Sequence, residues 1–302
     1  MQESNLNRRN FLSLSALAAG ATLLNMDSPA SAAAPVAADA PVLTILHMTD
    51  THIRPEHDAP ARCQKILAAI LKNHPDINLV LNTGDSIYAA DYGHITRERV
   101  EEQWKIWDET VMPLLKGLPI LHAIGNHDPW WAGPEGDAMV GYPYVCKRLG
   151  IESPYYATRR GGWEIIVLNN SKASVDADQL AWLEKTLTAL PPNAPLLLAT
   201  HVPIFSLAGT YDSGNMSGGK KLVDLLAPRT AAVVALSGHI HIQSSESLWN
   251  IRFHCNGALS GSWWEPGEQQ VGSYKRTPMG YAIVRLWADG RSDSQYHPVP
   301  YK

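Results

Sequence analysis

The chain has 302 residues, 45% hydrophobic and 18% charged, with 25 Lys and Arg against 29 Asp and Glu and a formal net charge of -4. So much apolar material with so little net charge excludes a chain that stays unfolded, and the lack of a basic excess excludes a dedicated nucleic-acid binder. Three cysteines are too few for a disulfide scaffold, so the fold must rest on a buried apolar core, which one large domain or two ordinary ones would supply.

The first element in chain order reads as removable. Arg8 and Arg9 precede an apolar run from Phe11 to Leu24, and Ala30-Ser31-Ala32 follows, the pattern of a cleavable secretory signal. A run of that length is too short to cross a bilayer as a helix, so no permanent membrane span is expected. Asn7-Arg8-Arg9-Asn10-Phe11-Leu12 resembles the twin-arginine export signal of bacteria, with an ordinary secretory signal as the alternative. The resemblance implies a periplasmic or secreted protein handled by the twin-arginine export machinery. Residues 1–32 are therefore expected to be the signal, 33–41 a linker, and 42–302 one domain. Cys63, Cys146 and Cys255 are expected as buried free thiols, with at most one disulfide among them.

From Val42 onward, short apolar runs alternate with helical patterns. Val42–Met48, Ile77–Asn82, Ile120–Ile124, Trp163–Leu168, Leu196–Thr200 and Ala232–Leu236 read as buried strands, with a helix over Ala59–Leu71. Val100, Trp104, Trp107, Val111 and Leu114 make one face of a second helix, ended or kinked by Pro113. Asp176 caps a third, with Gln179 three residues on and Leu180, Leu183, Leu187 and Leu190 in one stripe. Trp104, Trp107 and Trp182 are assigned to core packing. After Asn250 the helices stop, and Ile251–Cys255 and Tyr281–Trp287 read as further strands. Helices between strands imply an α/β fold.

Polar residues follow the strand ends. In chain order they are Asp50-Thr51-His52, Gly84-Asp85, Gly125-Asn126-His127-Asp128, His201, and Gly238-His239-Ile240-His241. Loops at the carboxyl ends of strands in an open α/β sheet converge on one crevice, so these segments are expected to meet. Each cluster alone is weak. Together, two carboxylates, an amide oxygen and four histidines suffice for two ions if one carboxylate bridges, and mixed nitrogen and oxygen ligation suits Mn, Fe or Zn better than Ca or Mg.

This ordered set resembles the calcineurin-like metallophosphoesterase family over Val42 to His241. The resemblance implies an αββα sandwich, two mixed β-sheets packed together and flanked by helices, with the last strands supplied by residues beyond 251. It implies one metal held by Asp50, His52, Asp85 and His241, and a second held by Asp85, Asn126, His201 and His239. His127 matches the general acid and Asp128 the carboxylate that positions it. The implied activity is hydrolysis of phosphate mono- or diesters by metal-bound hydroxide, with cyclic nucleotide phosphodiesterase and phosphomonoesterase both open. A non-catalytic, metal-dependent binder of a phosphate ligand is the alternative from another class.

Trp130, Trp131, Trp263 and Trp264 are candidates for the substrate wall, since aromatic rings beside a phosphoryl site can stack a base or cover a lipid or sugar. Tyr88, in Gly84-Asp85-Ser86-Ile87-Tyr88, is assigned to wall packing instead of ligation because His52 is available. Gly214-x4-Gly219-Lys220 approaches a phosphate-binding loop but continues with Lys221 where Ser or Thr is needed, and no strand leads into it. Thr210–Gly219 is read as a mobile loop after His201, and His254 as a candidate to line the site.

Overall fold

The apolar runs form strands because both their faces are covered. The computed structural model describes residues 40–265 and 277–299, so the expected signal and all but the end of the linker lie outside the described residues. Strands β1 (Leu43–Met48), β2 (Leu79–Asn82) and β3 (Ile120–His122) run parallel in a five-stranded sheet. Antiparallel β10 (Gly280–Leu286) and β11 (Ser292–Pro298) extend it in the order β11-β10-β1-β2-β3.

The second sheet has six strands: β4 (Tyr156–Arg160), β5 (Trp163–Val167), β6 (Leu196–Ala199), β7 (Val233–Ser237), β9 (Ile251–Cys255) and β8 (Ser244–Leu248), in that spatial order. Here β5, β6, β7 and β9 are parallel, and β4 and β8 are antiparallel edges.

Strand periodicity sorts the side chains into layers. Leu43, Ile45, Leu79 and Leu81 meet Ile165, Val167, Leu197, Val234 and Leu236 between the sheets. The opposite face of the first sheet, with Leu46, Met48 and Val80, is covered by α1 (Ala59–Asn73), α2 (Arg97–Thr110) and α3 (Tyr142–Leu149). The outer face of the second sheet, with Ile166, Leu196 and Leu198, packs under α4 (Ala177–Ala189) and α6 (Gly219–Leu226). The result is two mixed sheets flanked by helices.

The expected helices sit within a few residues of their positions. Asp176 caps α4 by accepting from the Gln179 amide at 2.8 Å, although Leu183 alone of its leucine stripe is fully buried. Trp104 and Trp107 are core residues, whereas Trp182 is half-buried against Tyr155. All three cysteines are buried free thiols. One expectation is corrected: residues 207–212 form a short helix, α5 (Leu207–Asp212), and Gly219 opens α6, so only residues 213–218 of the expected loop are loop. The Ser206 hydroxyl accepts from the Gly209 amide and caps α5, which sequence periodicity does not register in so short an element. Among the described residues, no helix is long and apolar enough to cross a membrane.

Candidate metal centre

The parallel strands aim their carboxyl ends at one crevice, and the turns there are held in uncommon backbone conformations. Asp50 (φ 52), His52 (φ 44), Asp85 (φ 53), His239 (φ 71) and His241 (φ 57) all occupy the left-handed region, which side chains disfavour. Each such residue costs about 1–3 kcal/mol and persists only where its surroundings over-determine it. They do so here. The Asp50 amide donates to the Gly84 carbonyl (3.0 Å) and the His52 amide to the Asp85 carbonyl (2.9 Å), tying the first two turns together. The His239 amide donates to Asp50 Oδ2 (3.0 Å), bringing in the turn after β7.

Two glycines permit this closeness. A Cβ on Gly125 would lie 2.1 Å from both the amide nitrogen and Oδ1 of Asp85, and one on Gly238 would lie 1.9 Å from Thr49 Oγ1 and 2.3 Å from Asp50 Oδ2.

Two triads result, Asp50–His52–His241 and Asp85–His201–His239, the ligand atoms within each lying within 4.8 Å of one another. In the first, His52 Nε2 and His241 Nε2 are 3.0 Å apart and Asp50 Oδ1 is 3.3 Å from His241 Nε2. In the second, His201 Nε2 is 3.2 Å from Asp85 Oδ2 and 3.2 Å from His239 Nδ1, with Asn126 Oδ1 at 3.0 Å. Asp85 Oδ2 also lies 3.6 Å from His52 Nε2, so one carboxylate oxygen faces both triads.

Backbone carbonyls set the histidine orientations. His201 Nδ1 donates to Thr83 O (2.8 Å) and His52 Nδ1 to Tyr88 O (3.2 Å), which turns each Nε2 toward the crevice.

The electrostatics match this convergence. Burial favours neutral carboxyls, yet His201, His127 and His52 hold Asp85 well below the usual carboxylate range, and His241 does the same for Asp50. Burial pushes His52 down, and His239 down to about 4, which leaves both imidazoles neutral as ligation requires. His201 is also buried, but the Asp85 carboxylate against it raises it to about 9.

The carboxylate beside His127 is not the expected one. His127 Nδ1 pairs with Asp91 Oδ1 at 2.6 Å. Asp128, expected to position His127, turns the other way: Oδ2 accepts from the amides of Gly125 (2.8 Å) and Asp85 (3.1 Å), and Oδ1 from those of Ser86 (2.8 Å) and Ile87 (3.4 Å). Asp128 therefore anchors the turn that carries Asp85. Its burial and the nearby Asp85 carboxylate push it up to about 6, against the pull of those amides.

The four tryptophans separate. Trp130 is buried with its indole donating to Ile95 O, and Trp264 is fully buried with its indole donating to Thr51 O, so neither offers a substrate surface, correcting that expectation. Trp131 is exposed and packs against Tyr142 and Lys172. Trp263 lies on the centre itself, its ring 3.7 Å from that of His52, 5.1 Å from His241 and 5.2 Å from His127. The Tyr88 ring packs against Trp263 and under Arg54. His254 pairs with Ser245 of the neighbouring edge strand.

The profile of the calcineurin-like phosphoesterases matches residues 43–243. The chain belongs to that family. This metallophosphoesterase, a hydrolase of phosphoesters, is 23% identical over 273 residues to a 3′,5′-cyclic-nucleotide phosphodiesterase of Nostoc sp., covering 86% of this chain and 93% of the relative. It is 24% identical to the 3′,5′-cyclic adenosine monophosphate phosphodiesterase CpdA of Pseudomonas aeruginosa, covering 85% and 90%. Among solved structures, its fold is similar to a dimetal phosphatase from Danio rerio (TM-score 0.58, 12% identity, 85% of this chain and 96% of that one).

The family is dimetal-dependent, and the donor set of this metallophosphoesterase fits such a pair. Buried imidazole nitrogens and carboxylate oxygens converge within 4.8 Å in each triad, the nearest pairs at 3.0–3.3 Å and Asp50 to His52 at 3.8 Å, a donor cluster that a cation would stabilise. Asp91 is the site residue that sequence reasoning missed. It lies six residues after Asp85, in a segment with no periodicity, and the one signal for it is its acidity within the Gly84–Asp91 stretch.

Proposed function

We propose that this metallophosphoesterase hydrolyses phosphodiesters, cyclic nucleotides among them, at a two-metal centre bridged by Asp85, with His127 as general acid. In this reading Asp50, His52, Asp85 and His241 hold one ion, Asp85, Asn126, His201 and His239 the other, and the ions are Mn, Fe or Zn. When bound, such a pair acidifies a water and offsets the charge of the phosphoryl oxygens. The observation that carries the reading is the placement of His127. Its amide donates to Asp85 Oδ1 (2.9 Å), its ring lies 5.3 Å from that of His52, and its Nδ1 is held by Asp91.

With Nδ1 engaged, Nε2 carries the transferable proton. The water gives up a proton to solvent and its oxygen forms a new bond to phosphorus, the phosphorus–oxygen bond to the leaving group breaks, and the His127 Nε2 proton passes to the departing oxygen, His127 regaining a proton from solvent afterwards. An alkoxide needs such a donor. Burial lowers the His127 pKa, but the Asp85 and Asp91 carboxylates outweigh it and raise it, which keeps the proton available. The relatives named as cyclic-nucleotide phosphodiesterases support a diester over a monoester.

We also propose that residues 1–32 are a twin-arginine signal and that the domain of residues 42–302 works in the periplasm or outside the cell, a reading supported by Arg8-Arg9, the apolar run after them and Ala30-Ser31-Ala32.

The test is an assay of Mn²⁺- or Zn²⁺-reconstituted protein on bis(p-nitrophenyl) phosphate, p-nitrophenyl phosphate and 3′,5′-cyclic AMP. Turnover of the two diesters above the monoester is expected. Turnover of the monoester alone would contradict the diester assignment, and turnover of none with two ions bound would favour a phosphate-ligand binder.

A further inference from the structure

The proton donor proposed above sits in an aromatic corner. The Tyr92 ring stands perpendicular to that of His127 with centroids 5.5 Å apart, and the Trp263 ring does the same at 5.2 Å. Tyr92 is 37% exposed and Trp263 half-buried, so both keep surface toward solvent. The corner continues outward: His94 stacks on Tyr92, and Tyr88 stands edge-on to both Tyr92 and Trp263. A nearby cation, Arg54, stacks over Tyr88 and lies 4.0 Å from Glu56, which Arg99 also pairs, and 3.7 Å from Glu265.

Trp263 is held there deliberately. Its φ is 60, a conformation rare for a bulky side chain, and Trp264 beside it has φ 68. The anchor is below: the Trp264 indole donates to Thr51 O, and the Ser260 hydroxyl donates to Asp50 O. Residues kept in such conformations cluster at ligand clamps.

A leaving oxygen must come within hydrogen-bond reach of His127 Nε2 to receive its proton, so the group attached to that oxygen falls against these rings. We propose that Tyr92 and Trp263 form the leaving-group subsite and that it takes a flat aromatic group of the nucleobase kind. The proposal rests on the general-acid role assigned to His127. Stacking on an aromatic face tolerates any base.

The experiment measures binding of adenosine 5′-monophosphate and of ribose 5-phosphate to the metal-loaded protein by calorimetry, beside turnover of bis(p-nitrophenyl) phosphate. The unaltered protein should bind the nucleotide about tenfold more tightly than the base-free sugar phosphate. Tyr92→Ala, at an exposed position, and Trp263→Ala should each remove most of that preference with ribose 5-phosphate affinity unchanged, while Tyr92→Phe and Trp263→Phe keep it. Equal affinities in the unaltered protein, or equal losses for both ligands in the alanine variants, would overturn the subsite. A preserved preference without diester turnover would overturn the reaction instead and leave the subsite standing.

Discussion

Asp91 Oδ1 lies 2.6 Å from His127 Nδ1, across 36 residues of chain, and ties the segment after β2 to the turn after β3. The contact fixes which ring nitrogen faces the crevice and favours the protonated imidazole.

Asp91→Asn should therefore lower kcat about 10- to 100-fold on 3′,5′-cyclic AMP and much less on bis(p-nitrophenyl) phosphate, whose leaving group needs little protonation. The pH profile should shift as well. The acid form of His127 is lost above its pKa, and removing the Asp91 carboxylate lowers that pKa, so the falling limb of kcat should move to lower pH. Equal losses on both substrates with an unmoved limb would take Asp91 out of this role.

Asp128 acts on structure first. Its carboxylate accepts four backbone amides of the turns that carry Asp85 and Asn126. Asp128→Ala leaves those buried donors without partners and should cost about 2–4 kcal/mol in denaturant unfolding, with weakened metal retention. Unchanged stability would show that other groups satisfy the turn.

The close approach at Gly125 and Gly238 gives a third expectation. Gly125→Ala and Gly238→Ala each place a methyl where the Asp85 or Asp50 carboxylate must lie. Each should destabilise by about 1–3 kcal/mol and lower metal occupancy while the far-ultraviolet circular dichroism stays that of the parent. Full occupancy in both would mean that the turns relax freely.

The sequence made the centre legible and its supports much less so. Ligands fall in short motifs directly after apolar runs, and the runs themselves, such as Leu43–Met48 and Leu196–Ala199, are buried on both faces and read as strands. The edge strands escaped because their composition is polar and half-exposed: Tyr156–Arg160 reads YATRR and Ser244–Leu248 reads SSESL. Helix α3 has only eight residues, with Pro143 in its first turn, and α5 has six, too few for periodicity to register. Asp128 was misassigned by adjacency. Neighbouring residues in a tight turn point apart, and the partner of His127 came from a distant segment.

Removing metal should loosen the whole sandwich, since the triads join turns from both sheets. An ion at a thousandfold its Kd stabilises by about 4 kcal/mol. For a domain of this size, loss of one such ion should lower Tm by about 8–16 °C, and chelation of both by about twice that. An unchanged Tm after chelation of metal-loaded protein would mean that the triads do not hold ions tightly.

The most direct test of the centre is the metal content of Asp85→Asn beside that of the unaltered protein, measured by mass spectrometry after identical loading and desalting. Asp85 Oδ2 lies 3.2 Å from His201 Nε2 and 3.6 Å from His52 Nε2, so two ions per unaltered chain and close to none in the variant are expected. One ion retained at full occupancy in the variant would contradict the bridge.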